Sequence, residues 1–204
     1  DKCLAFVGTG NKEAAKEGGK AAVEAAKAAG WTDIKCIEIA GVQGDATNTA
    51  RMEGYREGVN EAGGEFLDAE TQYANATADL AVTAMEGIMS KYPEGVAIIC
   101  SNNDDMALGA INALSNAGYN LAGGEGCTVI PVFGVDATEA AKELIANKQM
   151  TGSIKQDAEG MADAVATITA NLIAGKDKFE GLNENYEVVD GWTVNIPYSV
   201  YTGE

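Results

Sequence analysis

The chain has 204 residues, of which 46% are hydrophobic and 22% are charged, a composition ordinary for a soluble globular protein. This length is enough for one well-developed core or two small lobes. The net charge of -17 repels phosphate backbones, so we expect no nucleic-acid partner. No apolar run approaches the length of a membrane span. The chain starts at Asp1 without a signal-peptide pattern, and we expect this start to be a processed or a cloned boundary.

Short apolar runs and helical patterns alternate along the chain. Continuous apolar runs of this kind are typical of strands buried on both faces of a parallel sheet. They predict strands at 4–8, 34–41, 95–102 and 128–136, with a weaker strand at 65–71 that we expect near an edge. A short run at 151–154 and strand-like pieces at 186–189 and 193–200 follow.

Apolar residues at spacings of three and four predict the helices between these strands. The stripes are Met52–Val59, Ala81–Tyr92, Met106–Leu114 and Met161–Leu172, and an Ala- and Lys-rich helix is predicted over 12–29. Glycines stand where helices should end, at Gly63, Gly118 and Gly175. Repeated strand–helix units predict an α/β fold with a doubly wound parallel sheet and right-handed crossovers.

Several chemistries are excluded or disfavoured by the residue content. The chain has no histidine, so a Ser-His-Asp or Cys-His catalytic site cannot form. The phosphate-binding motif G-x-x-x-x-G-K-[ST] is absent, and the glycines at 8–10 do not complete G-x-G-x-x-G. Asp104 and Asp105 lack calcium-loop spacing and are expected to open a helix. We therefore predict no catalytic residue, no metal and no cofactor.

The four cysteines are Cys3, Cys36, Cys100 and Cys127, with no C-x-x-C pair. Cys36 and Cys100 lie inside apolar runs, which favours buried thiols that act as small hydrophobic side chains. A disulfide cannot be assigned from the sequence.

Polar residues follow the predicted strands at the point where each strand ends. Ligands of open parallel sheets bind beyond these carboxyl ends, which share one rim. A carboxylate accepts from sugar hydroxyls, Arg and Asn donate to them, and an aromatic ring stacks on the C–H face. The residues concerned are Gln43, Asp45, Thr47, Arg51, Gln72, Tyr73, Asn102, Asn103, Asp136, Lys155 and Gln156.

Each of these residues also has an ordinary structural interpretation. Asn103 is a suitable helix cap, and Asp136 could cap a helix that begins near Thr138. Arg51 could pair with a surface glutamate, Glu53 or Glu57, and Tyr73 could be a half-buried ring. The clustering of so many of them on one rim favours a binding site.

The segments that carry these residues resemble a known family. SNNDDMALGAINAL (101–114), residues 129–157, GVQGDATNTARMEGY (41–55) and TVNIPYSVY (193–201) are similar to periplasmic sugar-binding proteins of the ribose/galactose-binding type. The resemblance implies a type I periplasmic binding protein fold. Residues 1–156 would form the C-terminal sugar-binding lobe, and 157–204 would cross to a mostly missing N-terminal lobe and return as the tail.

The resemblance also implies roles for individual residues. Arg51 would clamp ring and hydroxyl oxygens, and Asn103 and Asp136 would bond hydroxyls. Gln156 would lie at the hinge and Tyr73 would form the aromatic wall. Asp45 and Thr47 would occupy positions that vary with the sugar. The chain departs from the family where Gly10 and Asn11 replace an Asp-Asn pair, and the acidic calcium loop of the galactose-binding branch is not visible.

The expected function is that of a solute-binding component of an ABC sugar transporter and not of an enzyme. Its partners would be a monosaccharide, the ABC permease and a chemoreceptor, in a periplasm or as a lipoprotein on a Gram-positive cell surface. The stripe Met161–Leu172 would pack on the missing lobe, so its exposure predicts a homodimer through the 157–175 helix. The alternative is the effector domain of a LacI-type repressor. The sequence does not identify the sugar.

Overall fold

The computed structural model describes residues 3–124 and 126–203, which form ten strands and six α-helices. The strands are β1 (Phe6–Gly8), β2 (Lys35–Ala40), β3 (Glu65–Phe66), β4 (Gln72–Tyr73), β5 (Ile98–Ser101), β6 (Val132–Val135), β7 (Gly152–Gln156), β8 (Glu187–Val189), β9 (Thr193–Asn195) and β10 (Tyr198–Tyr201). The helices are α1 (Asn11–Ala28), α2 (Ala46–Glu61), α3 (Ala78–Lys91), α4 (Asp104–Asn116), α5 (Glu139–Ala146) and α6 (Ala158–Ile173).

The chain divides into two compact units. The larger comprises Asn11–Lys155 and the residues from Val200 onward, and the smaller comprises the residues up to Gly10 and Gln156–Ser199. This division differs at both ends from the predicted segments 1–156 and 157–204. The N-terminal residues group with the tail because β1 pairs in parallel with β9.

The larger unit is built on a parallel sheet. Its strand order is β10-β7-β6-β5-β2-β3, and β4 also pairs with β2. The β2–β3, β2–β4, β2–β5, β5–β6 and β6–β7 pairs are all parallel. The predicted doubly wound α/β fold is therefore confirmed, with β5 and β2 buried at the centre and a core that includes Ile37, Ile39, Ile99 and Met106.

Helices α1 and α2 approach one another closely because glycines remove side chains at their contact. A Cβ atom added to Gly54 or Gly58 would collide with the backbone carbonyl oxygen of Lys12 or Lys16. Lysine–glutamate pairs, such as Lys12–Glu57 at 2.6 Å, bridge the exposed side of the two helices. This close approach brings the start of α1 beside the first turns of α2.

Two predicted strands are divided in the structure. The predicted strand 65–71 contains only β3 before a 3₁₀ helix at Asp68–Glu70, and β4 follows beyond it. The predicted strand 193–200 is split into β9 and β10, which belong to different sheets. Pro197 lies between them, and a proline has no N–H to donate to a sheet ladder.

The smaller unit packs α6 against a three-stranded sheet with the order β1-β9-β8. Ala164 and Ile168 of α6 are buried against Val194 and Ile196. The rest of the predicted apolar stripe is less covered, because Val165 is 51% and Leu172 is 38% exposed. A groove of about 290 Å³ runs along this face between α6 and the β1 segment, lined by Leu4, Ala5, Val7, Val165, Ile168, Thr169 and Leu172.

Within the described part of the chain, no helix combines the length and the apolar character needed to cross a membrane. The four cysteines are free thiols. Cys36 and Cys100 are fully buried, as predicted, and their sulfur atoms lie 3.5 Å apart.

Candidate functional site

A cavity of about 130 Å³ opens at the carboxyl ends of β2 and β5, within the larger unit. This is the edge of the sheet at which the sequence predicts a binding site. The first turns of α2 and α4 form its walls, together with the loop before α3. The lining residues are Gly41, Val42, Asp45, Thr47, Asn48, Arg51, Ala76, Asn102, Asn103 and Met106. Four of the seven predicted site residues, namely Asp45, Thr47, Arg51 and Asn103, are therefore brought together here.

Arg51 is fixed in the wall of this cavity by two polar contacts. Its Nε donates to Asn11 Oδ1 at 2.9 Å, and its Nη1 donates to the backbone carbonyl of Asn102. The alternative in which Arg51 pairs with a surface glutamate is wrong, because Glu53 and Glu57 pair with Lys12 instead. No residue in the described segments accepts a hydrogen bond from Nη2 of Arg51, so this end of the fork is available to a ligand.

Asn103 caps a helix and lines the cavity at the same time. Its side-chain oxygen accepts from the Met106 N–H at 2.9 Å, which satisfies a free donor of the first turn of α4. Its Nδ2 group is 3.4 Å from the Ala76 carbonyl oxygen, a long contact. The capping interpretation of Asn103 is thus confirmed. The long contact leaves the amide nitrogen able to donate to a ligand.

Asp45 and Thr47 lie on the exposed rim at the start of α2. Asp45 is the N-cap of this helix and accepts from the Asn48 N–H at 2.9 Å. A carboxylate at a helix N-terminus is favoured by the helix dipole. The rim therefore presents one carboxylate and one hydroxyl beside the Arg51 fork.

A buried amide pair forms the floor of the cavity. Asn48 is 5% and Asn102 is 3% exposed. Asn48 Oδ1 accepts from the Gly41 N–H at 2.6 Å and from Asn102 Nδ2 at 2.5 Å. Asn102 Oδ1 is buried and has no hydrogen-bond partner within residues 3–124 and 126–203. An unsatisfied buried acceptor of this kind costs about 1–3 kcal/mol of stability.

Sequence reasoning placed Asn102 on the rim but missed Asn48. Nothing in the sequence singles out Asn48, since a polar residue in the first turn of a helix is most often solvated. Its position three residues after the N-cap Asp45, on the side of α2 that faces the sheet, is visible only in three dimensions.

The other three predicted site residues lie outside the cavity lining. Tyr73 is in β4 and half-exposed, and its hydroxyl contacts Met52 Sδ at 3.8 Å. Asp136 follows β6 and is exposed, and Gln156 is the last residue of β7, where the chain passes between the two units. Their roles in binding remain predictions.

Asp136 has an unusual backbone conformation. Its φ angle is 116°, in a region that non-glycine residues rarely adopt, at a cost of about 1–3 kcal/mol. It does not cap α5, as the alternative interpretation had it, because the cap is Thr138, whose hydroxyl accepts from the Ala141 N–H at 3.2 Å. Strain of this kind is often retained where a side chain must be held in a functional position.

Asp104 holds the loop after β6 in place. Its buried carboxylate accepts from the Thr138 N–H and from the Ser153 hydroxyl, both at 2.7 Å. Burial raises the pKa of Asp104 to about 6, and these two hydrogen bonds oppose the shift. As predicted, Asp104 and Asp105 open α4.

The cavity is suited to binding hydroxyl groups. It offers guanidinium and amide donors with carboxylate, amide and hydroxyl acceptors, and the chain contains no histidine. Within residues 3–124 and 126–203, no three His, Cys, Asp or Glu side chains are grouped as metal ligands.

A sequence model described as "Periplasmic binding protein domain" matches residues 1–177. The D-galactose/methyl-galactoside binding periplasmic protein MglB of Haemophilus influenzae is 35% identical over 111 residues, which is 54% of this chain and 30% of that protein. The ribose import binding protein RbsB of Salmonella typhimurium is 29% identical over 140 residues, or 68% of this chain and 43% of that protein. The chain therefore spans less than half the length of these two relatives.

Two further similarities bear on the alternatives. The HTH-type transcriptional regulator CelR of Thermobifida fusca is 29% identical over 138 residues, 68% of this chain and 38% of that protein. A crystal structure of an ABC transporter periplasmic solute binding protein from Actinobacillus succinogenes with bound D-allose superposes with a TM-score of 0.79 at 22% identity. The match covers 98% of this chain and 61% of that one.

Proposed function

Because the chain belongs to the periplasmic binding protein family, we propose that it binds a monosaccharide as the solute-binding component of an ABC sugar transporter. The sugar would be galactose-, glucose- or ribose-like, in keeping with the relatives named for galactose and ribose. The relatives named for galactose and ribose are binding proteins, so we propose a binding role for this chain and not a catalytic one.

The observation that carries this proposal is the Arg51 fork in the wall of the 130 Å³ cavity. Two of its nitrogens are anchored to the protein and one faces no protein acceptor among the described residues. A planar, anchored guanidinium donates to hydroxyl oxygens in a fixed direction, so little rotamer entropy is lost on binding. Asn103 adds an amide, and Asp45 and Thr47 add acceptors on the rim.

Asp136, Gln156 and Tyr73 would complete the ligand shell. Asp136 would accept from hydroxyls, Gln156 would contact the sugar at the hinge, and Tyr73 would stack on it. The roles of Asp136 and Gln156 come from the resemblance of residues 129–157 to the family, and that of Tyr73 comes from the resemblance of the chain as a whole. The strain at Asp136 supports the role proposed for that residue.

Calorimetric titration with D-galactose, D-glucose, D-ribose and D-allose tests this proposal. We expect saturable binding of at least one sugar, and its loss in Arg51→Ala and Asp136→Ala. Arg56→Ala is the matched control, because Arg56 pairs with Asp68 on the surface and does not line the cavity. Absence of binding to all four sugars, or equal loss in Arg56→Ala, would contradict the proposal.

The proposed partners are an ABC permease and, in a signalling role, a chemoreceptor. The proposed location is a periplasm or the outer face of a Gram-positive membrane, where a lipid anchor would hold the protein. A rise in the ATPase rate of a reconstituted galactoside or ribose permease on addition of the sugar-loaded chain would support the transport role.

The second candidate function is effector binding in a LacI-type repressor, which the similarity to CelR favours. The two roles differ in their partner and not in their ligand site. A chain that binds a sugar, leaves every permease tested unaffected and releases an operator complex when fused to a DNA-binding module would favour the repressor role.

A homodimer through α6 is also proposed. Val165 and Leu172 are exposed beside an apolar groove, and Ile173 is 84% exposed. Light scattering after size exclusion should give twice the mass of the chain, and Val165→Asp should return the mass of a monomer. Glu159→Gln on the same helix is the control, and a monomeric parent chain would remove this proposal.

A further inference from the structure

The amide of Asn48 joins three separate parts of the cavity. Its oxygen accepts from the Gly41 N–H, just after β2, at 2.6 Å, and from the side chain of Asn102, just after β5, at 2.5 Å. Asn48 itself is in the first turn of α2, whose start is fixed by Asp45. A single side-chain oxygen therefore ties the ends of two neighbouring strands to the helix that carries Arg51.

The orientation of the Asn48 amide follows from its partners. Both Gly41 and Asn102 present N–H donors, so the oxygen must face them. The Asn48 side-chain nitrogen then faces Met52 Sδ, a weak acceptor, at 3.2 Å. The role of Asn48 is therefore that of an acceptor.

Asn102 transmits this restraint to Arg51. Beyond the last residue of β5, the Asn102 N–H still donates to the Ile39 carbonyl at 3.2 Å, while its own carbonyl receives Nη1 of Arg51. Among the described residues, the side chain of Asn102 bonds only to Asn48, through the Asn48 side-chain oxygen and, at 3.3 Å, the Asn48 backbone carbonyl. Because Asn102 Oδ1 has no hydrogen-bond partner among the described residues, the Asn48–Asn102 pair leaves one buried acceptor unsatisfied.

We propose that Asn48 is a positioning residue for Arg51, because its side-chain oxygen fixes the Asn102 backbone carbonyl to which the guanidinium donates. Asn11 holds Nε and Asn102 holds Nη1, so removing the second anchor leaves the guanidinium plane free to rotate about one bond. The expected effect of Asn48 on sugar affinity rests on the proposed function. The expected effect of Asn48 on the mobility of Arg51 does not depend on it.

The test uses the only two arginines of the chain, Arg51 and Arg56. In arginine side-chain NMR spectra of the whole chain, the Nη protons of Arg51 should be resolved at low temperature because rotation is hindered. In Asn48→Ala they should merge, while the signals of Arg56 should not change. Asn48→Asp keeps an acceptor for both donors and should restore the resolved signals.

Affinity for whichever sugar binds the parent chain gives the second readout. Asn48→Ala should weaken binding about tenfold and Asn48→Asp much less, because small misplacement of a positioned group is costly. Asn120→Ala is the matched control. Asn120 is equally buried and bonds to the backbone of Ile130 and Gln149 away from the cavity, so its loss should lower the melting temperature and leave affinity unchanged.

The outcomes separate the two proposals. If no sugar binds the parent chain, the proposed function fails and the Arg51 spectra still decide the role of Asn48. Unchanged Arg51 signals in Asn48→Ala would overturn the inference. So would equal loss of affinity in Asn48→Ala and Asn48→Asp.

Discussion

Glu38 of β2 lies directly opposite Cys100 of β5 in the parallel register, and both side chains are fully buried. In the part of the chain that the structure describes, neither carboxyl oxygen of Glu38 has a hydrogen-bond partner. Burial raises the pKa of Glu38 to about 8, and the nearby Arg56 lowers it only in part. At pH 7 the buried Glu38 side chain is therefore mostly protonated and neutral.

Glu38→Gln should change how stability depends on pH. The pKa of Glu38 is about 8 in the folded chain and 4.5 in an exposed glutamate, so the folded state holds this proton more tightly. The free energy of unfolding is therefore highest below pH 4.5 and falls as the pH rises toward and through 8. Relative to the parent, the variant should therefore gain about 4 kcal/mol of unfolding free energy between pH 5 and pH 9. Urea unfolding at pH 5, 7 and 9 measures this.

Glu65→Gln is the control for that experiment, because Glu65 lies in the neighbouring strand β3 and is exposed. Its unfolding free energy should follow that of the parent at each pH. An unfolding free energy of Glu38→Gln that falls from pH 5 to pH 9 as steeply as in the parent would show that Glu38 is not the group responsible.

Gly54→Ala should be severely destabilising. Its new methyl group would collide with the Lys12 carbonyl oxygen, and the α1–α2 contact would have to open. We expect a loss of about 3 kcal/mol or more. Gly87→Ala in α3 is the matched control, since among the described residues nothing outside its own stretch of helix lies within 4 Å of the added methyl group. It should be neutral or stabilise by about 0.5–1 kcal/mol. Thermal melts of both variants test the contact, and similar melting temperatures would contradict it.

The two replacements Asp136→Gly and Asp136→Ala should differ in stability. Both remove the carboxylate, but only glycine adopts a φ of 116° without strain. Asp136→Gly should therefore be the more stable of the two, by about 1 kcal/mol. Both should lose sugar binding if the carboxylate contacts the ligand. Equal melting temperatures would mean that the backbone at this position is not strained.

Thiol labelling should divide the four cysteines by burial. Cys3 is exposed and Cys127 is half-buried, so both should be alkylated in the native protein, with Cys3 the faster. Cys36 and Cys100 should react only after denaturation. Peptide mass spectrometry after timed iodoacetamide treatment reads each site, and early labelling of Cys100 would show that the centre of the sheet opens.

Much of the fold follows from the sequence because its signals are local. The apolar runs at 34–41, 95–102 and 128–136 each contain one strand, β2, β5 and β6, and the stripes each correspond to one helix, α2, α3 and α4. What could not be predicted depends on partners far apart in the chain. The grouping of β1 with the tail rests on its pairing with β9, nearly the whole chain away.

The candidate site shows the same division. Arg51 and Asn103 were identified because they follow strands whose ends meet on one edge of the sheet. Asn48 was missed because its importance comes from two donors, Gly41 and Asn102, that only the folded chain brings to it. The sequence also left open whether Arg51 serves a surface ion pair or the cavity, and the Asn11 and Asn102 contacts decide this.

We propose that a monosaccharide binds in the cavity at the carboxyl ends of β2 and β5. Backbone amide NMR shifts during titration with D-galactose, D-ribose, D-glucose and D-allose locate the bound sugar. We expect saturable shifts within 41–51 and 102–106. Shifts at the opposite end of the sheet would contradict it, for example in the 730 Å³ depression lined by Trp31, Lys35 and Tyr92. So would the absence of any saturable shift with all four sugars.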